Sequence, residues 1–187
     1  YKFDKKDPEF TRRVNLIFGK LKHLEEKGYR IEALPAEQFL LIEEQFGSLK
    51  DFFKLKNTEI KTKFNNISEE STAILRCKIS DRDLEGRLTV RGGPVHAIYE
   101  QLTKILGQVY PVLYKLKIED YHVDLARYHG VKSSVRTAVT FTDGACFTTV
   151  GVSDNIINSA TEAIEKGFRY YLNKSYNSQD IKGSMEI

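Results

Sequence analysis

Apolar residues at Phe10, Val14, Ile17, Leu21 and Leu24, with charged residues between them, recur at the spacing of one helix face. Asp7-Pro8-Glu9 supplies the start of that helix. The Asp side chain can accept from the free N–H groups of a first turn, and Pro lacks only an N–H that would go unbonded there. Gly28 supplies the stop, because the left-handed residue that closes a helix is least strained as glycine. After the connector "YRIEAL", a second helix is expected from Pro35-Ala36 through Phe39, Leu40, Ile42 and Phe46, closed by Gly47. Residues 1–50 therefore read as a helical linker.

From Phe52 onward the apolar period changes to two, the period of a half-buried strand. Phe53, Leu55 and Ile60 mark a first strand. Ala73, Leu75, Cys77 and Ile79 mark a second, between the polar turns "NNISEES" and "SDRD". Leu88 and Val90 mark a short third. Gly92-Gly93-Pro94 then opens a helix from Val95 to about Leu106, which Gly107 stops, and Pro111 begins the next connection. The same order returns. Leu116, Ile118, Tyr121, Val123 and Leu125 alternate, as do Val135, Thr137, Val139 and Phe141. Asp143-Gly144 is a turn signal, and "CFTTVGV" is a further short strand. "SDNIINSATEAIEKGF" is a helix with Ser153 or Asp154 as its N-cap.

The two runs superimpose at a spacing of about 62 residues, a length at which repeated units are found. The expected fold class is α+β: a helical linker followed by two pseudo-symmetric βββα units, residues 51–187, with 172–187 a loose tail beyond "YYLNK". The connections are too short for crossovers, so the strands are expected to be antiparallel. Neither unit can bury its sheet face alone, so the two should pack together. An edge or face left over makes a homodimer the natural expectation.

Composition narrows the picture. The 187 residues carry a net charge of only +3, without the strong basic face of a dedicated nucleic-acid binder. No apolar run approaches the roughly 20 residues of a membrane span, and "YKFDKKDPEF" is not a signal peptide. Cys77 and Cys146, both in alternating apolar runs, read as buried free thiols in a reducing, cytoplasmic compartment. The chain opens without Met and is expected to be a fragment.

The candidate chemistry is sparse. "RGGPVHAIYEQL" could begin a phosphate loop, but Pro94 follows the glycines and no Lys appears before Lys104, as a Walker loop would need. A turn leading into a helix accounts for both glycines and the proline. Glycines still let a backbone approach a ligand, and helix N–H groups favour a carboxylate. His23, His96, His122 and His129 lack metal-ligand spacing, and His122 is expected to be solvated. No metal site is expected. A Cys–His pair would need a thiolate at an apolar position, where it is disfavoured. No serine nucleophile motif occurs, so no catalytic residue is expected. The paired "KLK" segments are expected to keep a strand face soluble.

Three segments are similar to a known family. "GGPVHAIYEQL" resembles the Gly-x-Gly-Pro-Val-x-Ala turn and helix of the C-terminal regulatory domain of isopropylmalate and citramalate synthases. "TTVGVSDNIINSATEAI" resembles that domain's second signature, Gly-Val-Ser-x-Asn-Ile-Ile, and "KIEDYHVDL" its Asp-Tyr-x-Val strand. The likeness runs from Asp51 to about Leu172. Arg91 and His96 depart from it, standing where a small residue and Asn are common. The lead-in "LKHLEEKGYRIEALPAEQFLLI" resembles that of the citramalate-type branch.

The resemblance implies a dimeric allosteric domain that senses an amino acid near the subunit interface. Isoleucine is expected in the citramalate branch. The alternatives are leucine, in an isopropylmalate synthase, or a dimerisation module that binds no effector. It implies a parent transferase that condenses acetyl-CoA with pyruvate on a metal-bearing barrel, leaving this chain catalytically inert and without its own cofactor. The effector residues it suggests are Gly92, Gly93, Pro94 and Ala97 on one wall and Ser153, Asn155 and Ile156 on the other. Asp120 or Tyr121 would reach the ammonium group.

Overall fold

The computed structural model describes residues 7–64, 68–127 and 133–183. His129, the start of the "NNISEES" turn and the last residues of the expected tail lie outside them. Helix α1 (Pro8–Lys27) begins where the Asp7 side chain accepts from the Glu9 N–H at 2.9 Å. It ends at Gly28, whose φ of 93° is the left-handed conformation expected there. Helix α2 (Pro35–Phe46) closes in the same way at Gly47, φ 71°. None of α1 is buried. On α2 the buried residues are Ala36, Glu37, Leu41 and Glu43, two of them acids.

The strands form two antiparallel sheets of three, with the repeated βββα order expected. Strands β1 (Lys54–Phe64), β2 (Glu69–Ile79) and β3 (Arg82–Arg91) make the first sheet and precede α3 (Pro94–Gly107). A 3-10 turn, Pro111–Lys115, leads into β4 (Lys117–Arg127), β5 (Ser134–Thr142) and β6 (Cys146–Ser153), which precede α4 (Ile156–Gly183). Strand β3 is ten residues long, not a short strand around Leu88 and Val90. Only Ser80 and Asp81 turn, and Arg82 already pairs with Ile79. The polar Glu69 and Glu70 likewise belong to β2. In β4 the odd step from Ile118 to Tyr121 is a bulge between Ile118 and Asp120, which returns Tyr121 to the face opposite Val139.

Inner faces of both sheets and inward stripes of both helices share one core. Leu75 and Cys77 of β2, Ile98 and Leu102 of α3, Phe141 of β5 and Phe168 of α4 all belong to it. Each side chain of this size contributes about 1.5–3 kcal/mol when fully buried. Helix α4 covers β5 and β6, and α3 covers β2 and β3. The first strand of each unit is therefore less covered than the others. Tyr121 and Leu125, on the inner face of β4, are both 53% exposed, and Phe64 at the end of β1 is 82% exposed. The outer face of the second sheet is closed by the linker: Tyr29, Ile31 and Leu41 pack with Val150, flanked by Ala138 and Val152.

Three further expectations change. Cys77 is buried, but Cys146 is exposed. The inward residues of β6 include the buried Thr149, so Cys146 falls in the other phase, beside the turn. The α4 helix is capped by Asn155, not Ser153 or Asp154: its Oδ1 accepts from the N–H groups of Ile157 (2.8 Å) and Asn158 (3.2 Å). The helix also continues past Lys174 to Gly183, because no proline or earlier glycine stop interrupts it after Gly167.

Candidate functional site

A cavity of about 690 Å³ lies where the first turns of α3 and α4 face β4. One wall is the entrance of α3, from Gly93 and Pro94 to Tyr99 and Glu100. Ile156, Ile157 and Ala160 of α4 form a second wall. Ile118, Tyr121 and Val123 of β4 form a third, and Tyr114 and Leu116 lie below them.

The α3 entrance is built by its sequence. Gly92 adopts φ 133°, a region that side chains disfavour, and its N–H donates to Glu69 O at 3.0 Å. A Cβ there would also stand 3.2 Å from His96 Nδ1. Gly93 is the N-cap, with φ −75° and ψ 170°, and no side chain caps the helix. Pro94 has no N–H. The N–H groups of Val95 and His96 occupy the positions that a cap side chain would normally serve. At the related entrance of α4, Asn155 serves those positions itself. The two repeats thus differ at their most similar feature: one helix start is open and the other is closed.

Deeper in, Tyr99 is fixed by donating its hydroxyl to Leu116 O at 2.6 Å and by an edge contact with Phe168. Burial holds the Tyr99 phenol above its ordinary pKa, with a smaller push from the neighbouring Glu100 carboxylate. Thr103 donates to Tyr99 O at 2.8 Å, which turns its hydroxyl to the backbone. At the rim, His96 Nε2 lies 3.5 Å from Glu100 Oε1, one helical turn on. Lys117, exposed, stands on the opposite side. The site joins an apolar interior to a rim with one anion, one cation and two N–H groups without a capping side chain. It contains no nucleophile–base pair.

Of the residues named from sequence, Gly93, Pro94, Tyr121 and Ile156 line the cavity. Gly92 shapes the turn from behind. Ala97 is fully buried and packs away from the opening. Asp120 pairs with Thr140, on the strand face opposite Tyr121, and does not reach the cavity. Ser153 accepts from the Asn155 N–H at 3.2 Å, and Asn155 is spent on its cap. Sequence reading missed Tyr99, Glu100, Ile118 and Ile157. Ile118 and Ile157 were visible as apolar members of the repeat, but nothing local indicated that α3 would face β4. Among the described residues, no group of three or more His, Cys, Asp or Glu could hold a metal ion. No helix among them is long and apolar enough to cross a membrane.

A family model described as the LeuA allosteric (dimerisation) domain matches residues 32–172. A (R)-citramalate synthase from Sulfolobus acidocaldarius is 34% identical over 175 residues, which is 91% of this chain and 31% of that protein. One from Aquifex aeolicus is 32% identical over 174 residues, 91% of this chain and 32% of its own. A third, from Geobacter sulfurreducens, is 31% identical over 188 residues, 98% of this chain and 34% of that protein. This chain spans about a third of the length of these curated relatives. The relatives' names agree with the branch read from the lead-in segment.

Proposed function

The chain belongs to the LeuA allosteric (dimerisation) domain family, and from that membership we propose that it is the regulatory and dimerisation region of a citramalate synthase, with isoleucine as its feedback effector. Residues 1–50 would serve as the linker and residues 51–187 as the sensing domain. The parent enzyme would condense acetyl-CoA with pyruvate in branched-chain amino-acid synthesis, in the cytoplasm. Its divalent metal and acetyl-CoA would be held outside the described residues, which offer no ligand cluster for a metal.

The observation that carries the reading is the open α3 entrance at one end of an apolar cavity. An amino-acid carboxylate would accept from the Val95 and His96 N–H groups, where the helix dipole also favours negative charge. Glu100 would take the ammonium group, in place of Asp120. The branched side chain would lie against Ile118, Val123 and Ile157. At about 690 Å³ the cavity is within the range of small-molecule sites, roughly 300–1,000 Å³. Tyr121, Leu125 and Ile156 are exposed around it, and a second copy covering them would form the homodimer and close the mouth.

A thermal-shift and calorimetry series with isoleucine, leucine and valine tests this. Isoleucine at 100 times its Kd should add about 2.7 kcal/mol of stability. A folded dimer that responds to none of the three sinks the sensor reading. A preference for leucine moves the chain to the isopropylmalate branch. A monomer by sedimentation equilibrium removes the dimer.

A further inference from the structure

The free edge of β6 is closed by three charged side chains from two different elements. Glu37 Oε1, from α2, accepts from the Val150 N–H at 2.7 Å, and Glu162 Oε2, from α4, accepts from the Val152 N–H at 3.0 Å. Lys166 of α4 donates to Val150 O at 2.8 Å and lies between the two acids, 3.2 Å from Glu37 Oε2 and 3.0 Å from Glu162 Oε1. Its ammonium also sits 4.4 Å from the centre of the Tyr29 ring, while the Tyr29 hydroxyl donates to Glu162 at 2.6 Å. A buried charge of this kind is stable only while its partners stay in place. Glu37 is 5% exposed, so it can reside there only with the linker docked on the sheet.

The same helix begins at the cavity. Ile156, Ile157 and Ala160 line it, and Lys166 lies about 14 Å along the axis from Ile157 at 1.5 Å per residue. The contact of α4 with β6 is tight: a Cβ on Gly151 would collide with the Ser159 backbone carbonyl. A shift at the start of α4 therefore reaches the β6 edge through a rigid element.

We propose that Glu37, Lys166 and Glu162 form a latch by which occupancy of the cavity holds the linker helices against the sensing domain. Lys166 is a positioning residue in this device and touches no ligand. The cavity is formed in the latched arrangement, so a ligand that binds there favours latching, and by reciprocity an intact latch favours the ligand. The proposal rests on the sensor reading for its ligand, but not for the mechanical link along α4.

Two arms test it on the full chain, with amide exchange at Val150 and Val152 as the direct readout, since both amides donate to the latch carboxylates. In the first arm, saturating isoleucine should slow both amides roughly tenfold. Glu37→Gln should raise the isoleucine Kd fivefold or more, within the roughly 5–150-fold range of such couplings. Lys166→Met should do the same and Lys166→Arg should restore the affinity. In the second arm, without ligand, Ile157→Ala should speed both amides at least fivefold and leave β2 amides unchanged. If isoleucine binds the wild type while the two amides and the variants' Kd stay unchanged, the latch is overturned. If isoleucine does not bind the wild type, the sensor reading falls and the second arm alone decides: unchanged Val150 and Val152 amides in a folded Ile157→Ala protein overturn the latch. Cooperative unfolding by circular dichroism establishes that each variant is folded.

Discussion

Gly93→Asp probes the open helix entrance directly. The backbone at Gly93 is extended, with φ −75°, so a side chain brings no strain. A Cβ there meets only Glu69 Oε1, at 3.9 Å. The new carboxylate would accept from the Val95 and His96 N–H groups, as Asn155 does at α4. A cap of this kind improves on glycine by a few tenths of a kcal/mol, and the helix dipole adds about 0.3–1 kcal/mol. Repulsion from Glu69 takes some of that back, so folding stability should change by less than about 1 kcal/mol. Ligand binding should suffer far more. The introduced carboxylate occupies the donors that the effector carboxylate would use, and hydrogen bonds to charged groups are worth about 1.5–3 kcal/mol each. Loss of about 3 kcal/mol raises Kd by roughly a hundredfold. Calorimetric titration with isoleucine measures this, with Gly93→Ala as the control that adds a Cβ without a carboxylate. Wild-type affinity in Gly93→Asp refutes the carboxylate placement. Equal losses in both variants refute competition in favour of simple crowding.

Two further outcomes follow from the titratable groups. Burial pushes the Cys77 thiol up to about 12, with a smaller push from Glu165, whereas Cys146 is exposed. A thiol reagent at pH 8 should consume one equivalent quickly and the second only in denaturant; two fast equivalents would contradict the burial. Burial also holds the Glu37 carboxyl above its ordinary pKa, against the opposing pull of Lys166 and the Val150 N–H. In the unfolded chain it titrates near pH 4.3. Between that pH and its raised folded pKa, the folded state binds more protons than the unfolded state, so its contribution to stability falls as pH rises. Urea titrations across this window should show a shallower fall for Glu37→Gln than for wild type; parallel curves would remove Glu37 from the linkage.

What the sequence disclosed and what it withheld divide along the range of the interactions. Asp7, Pro8, Gly28 and Gly47 act within one turn of themselves, and the helix ends fall at them. The alternation through Thr137, Val139 and Phe141 located a sheet face correctly, because one strand's phase is fixed by its own neighbours. The phase of β6 was harder to read, since the strand is short and Thr149 and Gly151, not the larger Val150, face inward. That is why Cys146 was misplaced. Asn155 lost the cap assignment to Ser153 and Asp154 because all three types can cap, and only the backbone path decides between them. The cavity needed still more. It depends on α3 of one unit lying against β4 of the other, a relation that the repeat suggested without specifying. Nothing near Glu37 in the sequence marks it as buried, because the Lys166 that compensates its burial is far along the chain.

The docking of the linker also bears on how the chain matures. Its polar ties span very long separations: 107 residues from Arg136 to Tyr29 O, 113 from Val150 to Glu37, and 133 from Tyr29 to Glu162. Loops of that size close late, and contacts of this kind slow folding. Helices α1 and α2 precede β6, the strand that receives them, by the whole of the first βββα unit. They must therefore remain soluble as a pair without a docking surface until β6 has been made. The charged spacing of α1, which leaves it without a single buried residue in the finished fold, suits a segment that waits in water for its partner.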